Sequence, residues 1–138
     1  MTMVASDRRR GTGLATAAGS IAAIVLALYV GIITAQGDAE IGRVAVVVAL
    51  ISAAVGCCFM TAFAHDQGLR TIAAWGGVGE LLSLGVLGIF SVGLPLLIAG
   101  ILLLIAAARI GGPPGRVRLA VAACVVGAVV PWVLLLLG

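Results

Sequence analysis

The chain has 138 residues, of which 63% are hydrophobic and only 9% are charged, and its formal net charge is +3. Soluble domains carry roughly 25% charged residues, so this composition excludes a soluble domain, and its high apolar content excludes a disordered chain. The mean hydropathy of +1.32 instead predicts an integral membrane protein whose first partner is the lipid bilayer. The positive charge is dispersed at the ends of apolar segments, so we expect no binding of nucleic acid.

Residues 1–13 form a short polar leader that contains Arg8, Arg9 and Arg10. The next 22 residues, 14–35, carry no charge and are long enough to cross a hydrocarbon core of about 30 Å. A positive leader before an apolar run also resembles a secretory signal. The run is longer than the usual stretch of roughly 7–15 residues, so an uncleaved first span is the favoured interpretation.

A polar connection containing Arg43 leads to the second predicted span, residues 44–64. His65 and Asp66 follow it directly, in a connection that ends at Arg70. A neighbouring His and Asp are a candidate cytoplasmic proton relay, because an imidazole changes its charge near neutral pH. The alternative is a solvated loop, which adjacent polar residues at the end of a span more often form.

Residues 71–108 are ambiguous because these 38 residues contain a single charge, that of Glu80. As one helix they would be about 57 Å long, almost twice the thickness of the hydrocarbon core. A turn near Ser91–Pro95 divides them into predicted spans at 72–90 and 94–108. Pro95 favours this division, because the first turn of a helix tolerates a residue without an N–H group. The alternative is one crossing by residues 71–108, which gives four spans in total.

A loop rich in Gly and Pro precedes the last predicted span, residues 119–137. With five spans, seven of the eight Arg residues lie on one side of the membrane, whereas four spans divide them equally. Short cytoplasmic loops are enriched in Arg and Lys, so we predict five spans, with the N-terminus cytoplasmic and the C-terminus outside. The candidates for fixing topology and contacting lipid head groups are Arg8, Arg9, Arg10, Arg109, Arg116 and Arg118.

The predicted fold class is therefore all-α, a polytopic transmembrane helical bundle that forms one domain over residues 14–138. All eight basic residues are Arg, and Ala, Val, Gly and Leu are abundant. This pattern favours a bacterial protein, and with the multi-pass topology it predicts the cytoplasmic (inner) membrane.

Glu80 is the candidate intramembrane ion or proton site. An ionised carboxylate deep in a bilayer is costly unless it is protonated, paired or hydrated, so such residues often mark a pathway. The alternative is a protonated Glu that joins two helices by a hydrogen bond. The three Cys residues lie in apolar runs and are interpreted as small apolar side chains. We expect no metal, no cofactor and no enzymatic activity, since the chain has no catalytic motif.

The leading functional hypothesis is a small non-enzymatic accessory, assembly or stabilising subunit that acts through helix–helix association. Small residues four positions apart occur in four of the predicted spans and allow helices to approach closely. Examples are Ala49/Ala53, Gly79/Ser83 and Ala123/Gly127. The expected partner is another membrane protein or a second copy of the chain. The alternative function is a small transporter or an ion or proton pathway that uses Glu80.

Overall fold

The computed structural model describes residues 2–37, 41–89, 93–110 and 116–137, with side chains described from Arg9 onward. The described chain is helical with short connections and contains no strand, which confirms the predicted all-α class. The helices are α1 (Thr2–Gln36), α2 (Ile41–Phe63), α3 (Gln67–Leu87), α4 (Gly93–Ile110) and α5 (Val117–Leu137). α1 includes most of the segment predicted as a leader.

Residues 71–108 form two helices rather than a single crossing. α3 ends at Leu87, and the Gly93 N–H at the start of α4 donates a hydrogen bond of 2.7 Å to the Gly88 carbonyl. Gly85 packs against Leu97, so α4 returns antiparallel along α3. Pro95 lies in the first turn of α4, as predicted. Residues 90–92, which include the predicted tip at Ser91, lie outside the described residues.

Four helices form a ring, and the fifth packs outside it. α1 packs on α2 and α4, and α3 packs on the same two helices from the other side. The largest buried side chains of this ring include Ile51, Leu81, Leu96 and Leu103. α5 packs on α3 and contributes no described residue to the central core cluster. α3 is therefore covered by α2, α4 and α5.

The helices have the length and apolarity of a membrane protein. α1, α2, α4 and α5 are each long and apolar enough to cross a membrane. α3 is not among them, although its 21 residues correspond to about 32 Å of helix. Its sequence includes five Gly residues, Arg70 and Glu80, and both charged side chains are buried. The polar helix is thus the one that its neighbours shield most from the surroundings.

The bundle has one arginine-rich end, which we define by Arg9, Arg10, Arg70, Arg109, Arg116 and Arg118. Gly11 on α1 lies against Ile110 at the end of α4, and Arg70 reaches both Thr12 and Thr61. Arg116 lines a cavity together with Thr71, near the start of α3. Arg43, at the start of α2, lies at the opposite end. The helices therefore alternate in direction as the five-span topology requires, while the side that faces the cytoplasm stays a prediction.

Candidate functional site

Glu80 lies in the middle of α3, thirteen residues after Gln67, and is about 20 Å from the start of the helix. Its side chain is only 8% exposed. The sequence predicts a span that begins at residue 72, whereas α3 begins at Gln67, and the depth of the carboxyl in a bilayer stays a prediction. The neighbouring helices determine what this carboxyl can bind.

A groove runs between α2 and α5, and α3 forms its floor. We call it the α2–α5 groove, and its volume is about 370 Å³. α2 and α5 make few contacts with each other, so the groove opens sideways between these two helices. Its lining residues are Cys57, Met60, Leu69, Ile72, Ala73, Gly76, Glu80, Ala123, Val126, Gly127 and Val130. A single carboxyl thus lies in an otherwise apolar groove on the side of the bundle.

The wall that α5 forms depends on a close helix crossing. A Cβ atom at Gly79 would overlap the Cys124 carbonyl, and one at Gly127 would overlap the Gly76 carbonyl. The Ser83 hydroxyl adds a hydrogen bond of 2.9 Å to the Ala128 carbonyl. Small residues permit such approaches between membrane helices, where packing and polar contacts replace the hydrophobic effect.

The predicted small-residue pairs differ in what they contact. Gly79/Ser83 on α3 and Ala123/Gly127 on α5 meet at this crossing. Ala49 and Ala53 on α2 are exposed, so their spacing supports no contact within the described chain.

Within the described part of the chain, the Glu80 carboxyl makes no hydrogen bond and no ion pair. The cation on the same helix, Arg70, lies ten residues earlier, or about 15 Å along the axis. Buried polar groups in native proteins nearly always have a partner, and a carboxyl in a membrane has the strongest need for one. The groove therefore presents an acceptor and, when protonated, a donor that nothing else in the described chain uses.

His65 and Asp66 do not reach this groove. Both are exposed in the connection between α2 and α3. The Asp66 carboxylate accepts a hydrogen bond of 2.9 Å from the Gly68 N–H and caps the start of α3. Asp66 precedes Glu80 by fourteen residues, which is about 21 Å along the helix. The structure therefore gives Asp66 a capping contact and places the proposed relay far from Glu80.

Arg70 was predicted to lie in a loop, but the structure places it in the first turn of α3 with only 7% of its surface exposed. Its Nε donates a hydrogen bond of 3.0 Å to the Thr61 carbonyl, and its guanidinium reaches the Thr12 hydroxyl at 3.5 Å. Arg70 therefore joins α1, α2 and α3. The sequence contains one signal for this position. Asp66 is a typical helix-capping residue, and Arg70 follows it by four residues, so Arg70 falls in the first turn of the helix that Asp66 caps.

The other candidate residues lie at the arginine-rich end. Arg9, Arg10, Arg109 and Arg118 are exposed, which suits contact with head groups, whereas Arg116 is partly buried. The side chain of Arg8 is outside the described side chains. Cys58 is buried in the core, and no described cluster of His, Cys, Asp or Glu has the arrangement of a metal site.

Comparison with known proteins identifies no family for this chain. No protein-family model matches the chain, and no curated protein or solved structure is similar to it.

Proposed function

We propose that the protein is a non-enzymatic accessory, assembly or stabilising subunit that binds a partner inside the membrane by helix–helix association. The observation that carries this proposal is Glu80, which is buried at the floor of the α2–α5 groove and has no partner among the described residues. A transmembrane helix of another protein fits the open side of the groove.

The chemistry of the groove defines the partner helix. Its apolar walls favour an apolar helix surface, and Gly76 and Ala73 on the floor allow a close approach. Glu80 favours a helix that presents Arg, Lys or another hydrogen-bond donor at the same depth. Charged residues inside membranes usually pair with one another, so the partner would remove the cost of burying both groups.

A second copy of the chain fits this groove less well than a different protein. The chain has no Lys, and its Arg residues lie in connections or near helix ends rather than at the depth of Glu80. The Ser52 and Thr61 hydroxyls already donate to carbonyls of their own helix, at 2.7 Å and 2.8 Å. Self-association would therefore bring no cation to the carboxyl.

Site-specific photocrosslinking in intact membranes tests the proposal. We expect a photoreactive residue at Val126, on the rim of the groove, to capture one transmembrane protein through a peptide that contains a basic residue. The same residue at Ile24, which is 60% exposed on α1, serves as the control and should not capture it. Crosslinks only to lipid, only to a second copy, or equally from both positions would contradict the proposal.

Two variants separate the groove from general stability. Ala73→Leu fills the groove, and Glu80→Gln keeps its shape but removes the carboxylate, so both should reduce the Val126 crosslink. Ala53→Leu makes the same change in size on an exposed face of α2 outside the groove and should leave the crosslink unchanged.

A small transporter or ion pathway that uses Glu80 is the alternative function. Its support is the same carboxyl, but the rest of the lining in the described chain is apolar apart from the Cys57 thiol. Proton pathways in membranes usually link several ionisable side chains. Flux through proteoliposomes that is lost in Glu80→Gln would favour this alternative, and equal background flux in both proteins would exclude it.

A further inference from the structure

A second cavity lies on the other side of α5. α5 rests on α3, and α4 and α5 make few or no direct contacts, so a gap of about 320 Å³ remains between them. It reaches from Arg116 to Val125, nine residues or about 14 Å along α5. Its lining includes Trp75 and Ala108 and is almost entirely apolar. The shape is long and narrow, and one end lies at the arginine-rich end of the bundle.

Arg116 gives this cavity a charged mouth. It directly precedes α5, and its Nη1 is shielded from solvent without a hydrogen-bond partner among the described residues. An unpaired guanidinium nitrogen is unusual, because buried donors in native proteins nearly always find an acceptor. The planar guanidinium matches the oxygens of a phosphate and can bind two of them at once.

We propose that this cavity binds one anionic phospholipid, with its phosphate on Arg116 and an acyl chain between α4 and α5. Basic pockets between transmembrane helices are typical binding sites for anionic lipid head groups. Trp75 supports the placement, because indole rings favour the head-group level of a bilayer. Arg109 and Arg118 are exposed at the same end of the bundle and do not line the cavity. The Thr71 hydroxyl also lines the cavity, but it already donates a hydrogen bond of 2.9 Å to the Gln67 carbonyl. Arg116 is therefore the residue that binds the phosphate.

The experiment uses Trp75 as a reporter in the full chain. Trp132, the other Trp, is replaced by Phe, so the fluorescence comes from Trp75 alone. The protein is reconstituted in phosphatidylcholine, and lipids with brominated acyl chains, which quench nearby indoles, are added as phosphatidylglycerol or as phosphatidylcholine. We expect the anionic lipid to quench at about tenfold lower mole fraction, because its phosphate lacks the choline cation that Arg116 would repel.

Matched variants make the result specific. Arg116→Gln should abolish the preference for the anionic lipid, whereas Arg118→Gln, which removes the same charge two residues later, should retain it. Ala108→Leu narrows the cavity and should weaken quenching by both lipids. Soluble glycerol phosphate lacks an acyl chain and should not displace the lipid.

Three results would overturn the proposal. Equal quenching by the two lipids would show an apolar groove that does not select anionic head groups. Equal losses in Arg116→Gln and Arg118→Gln would show general attraction to a positive surface. Full displacement by glycerol phosphate would show a simple anion site.

Discussion

The Nε atom of Arg70 donates a hydrogen bond of 3.0 Å to the carbonyl oxygen of Thr61 and thereby ties the start of α3 to the last turn of α2. This carbonyl is one of the last four in α2, which have no N–H partner within the helix. A cation also interacts favourably with the negative end of a helix dipole. The Arg70 side chain thus supplies a hydrogen-bond donor to the end of α2 and fixes the sharp connection to α3.

Replacing Arg70 with Ala should destabilise the bundle by about 2–3 kcal/mol, because the carbonyl loses a charged donor at a buried position. The midpoint of unfolding in mixed micelles with increasing dodecyl sulfate measures this loss. Arg118→Ala removes an exposed Arg and should change the free energy by less than about 0.5 kcal/mol. Similar effects of the two substitutions would contradict the anchoring role of Arg70.

Replacing Gly79 with Ala should separate α5 from α3, because the new Cβ would overlap the Cys124 carbonyl. Overpacking of this kind typically costs about 1–3 kcal/mol. Gly56→Ala on α2 is the matched control, since no neighbour lies within 4 Å of a Cβ at that position. Thermal unfolding of both variants in the same detergent gives the comparison, and equal stability would show that the α3–α5 crossing is looser than described.

Replacing Glu80 with Leu should stabilise the isolated protein by about 1 kcal/mol or more, because it removes a buried polar group that lacks a partner. The same variant should lose the Val126 crosslink to the partner helix. A substitution that raises the stability of a protein but removes its function is typical of residues that serve binding rather than folding. A fall in the unfolding midpoint would instead support the structural interpretation, in which Glu80 joins two helices.

A Cys at Ser91 and a Cys at His65 should react with a membrane-impermeant thiol reagent from opposite sides of the membrane. The prediction follows from the alternating helix directions and from the grouping of six described Arg residues at one end. The unmodified chain is the blank, because its three Cys residues lie within helices and are partly or fully buried. Labelling of both positions from the same side would contradict the five-span topology.

Local sequence signals predict the helices well. The turn before Pro95 and the apolar runs on either side follow from the chemistry of single residues, and α4 begins two residues before that Pro. The position of Glu80 inside a helix and away from both of its ends follows equally from counting residues.

The relationships between helices could not be predicted in the same way. Arg70 is polar and next to a turn, so the sequence indicates a loop, but its burial depends on the Thr61 carbonyl of another helix. The two cavities exist because α5 touches α3 but hardly touches α2 or α4, and no residue of α5 alone reveals this. A sequence pattern shows which residues are small, but it does not show which helix they meet.

The position of α5 outside the ring has a consequence for biogenesis. α5 follows the other helices in the chain, so it leaves the ribosome after α1–α4 have emerged and can pack together. Until α5 is inserted, it does not cover the face of α3 that carries Glu80. The carboxyl and the glycine surface around it are then open to the lipid, and the insertion of α5 creates both cavities in one step. A partner that recognises the finished groove would therefore bind chains in which α5 is in place and leave shorter nascent ones alone.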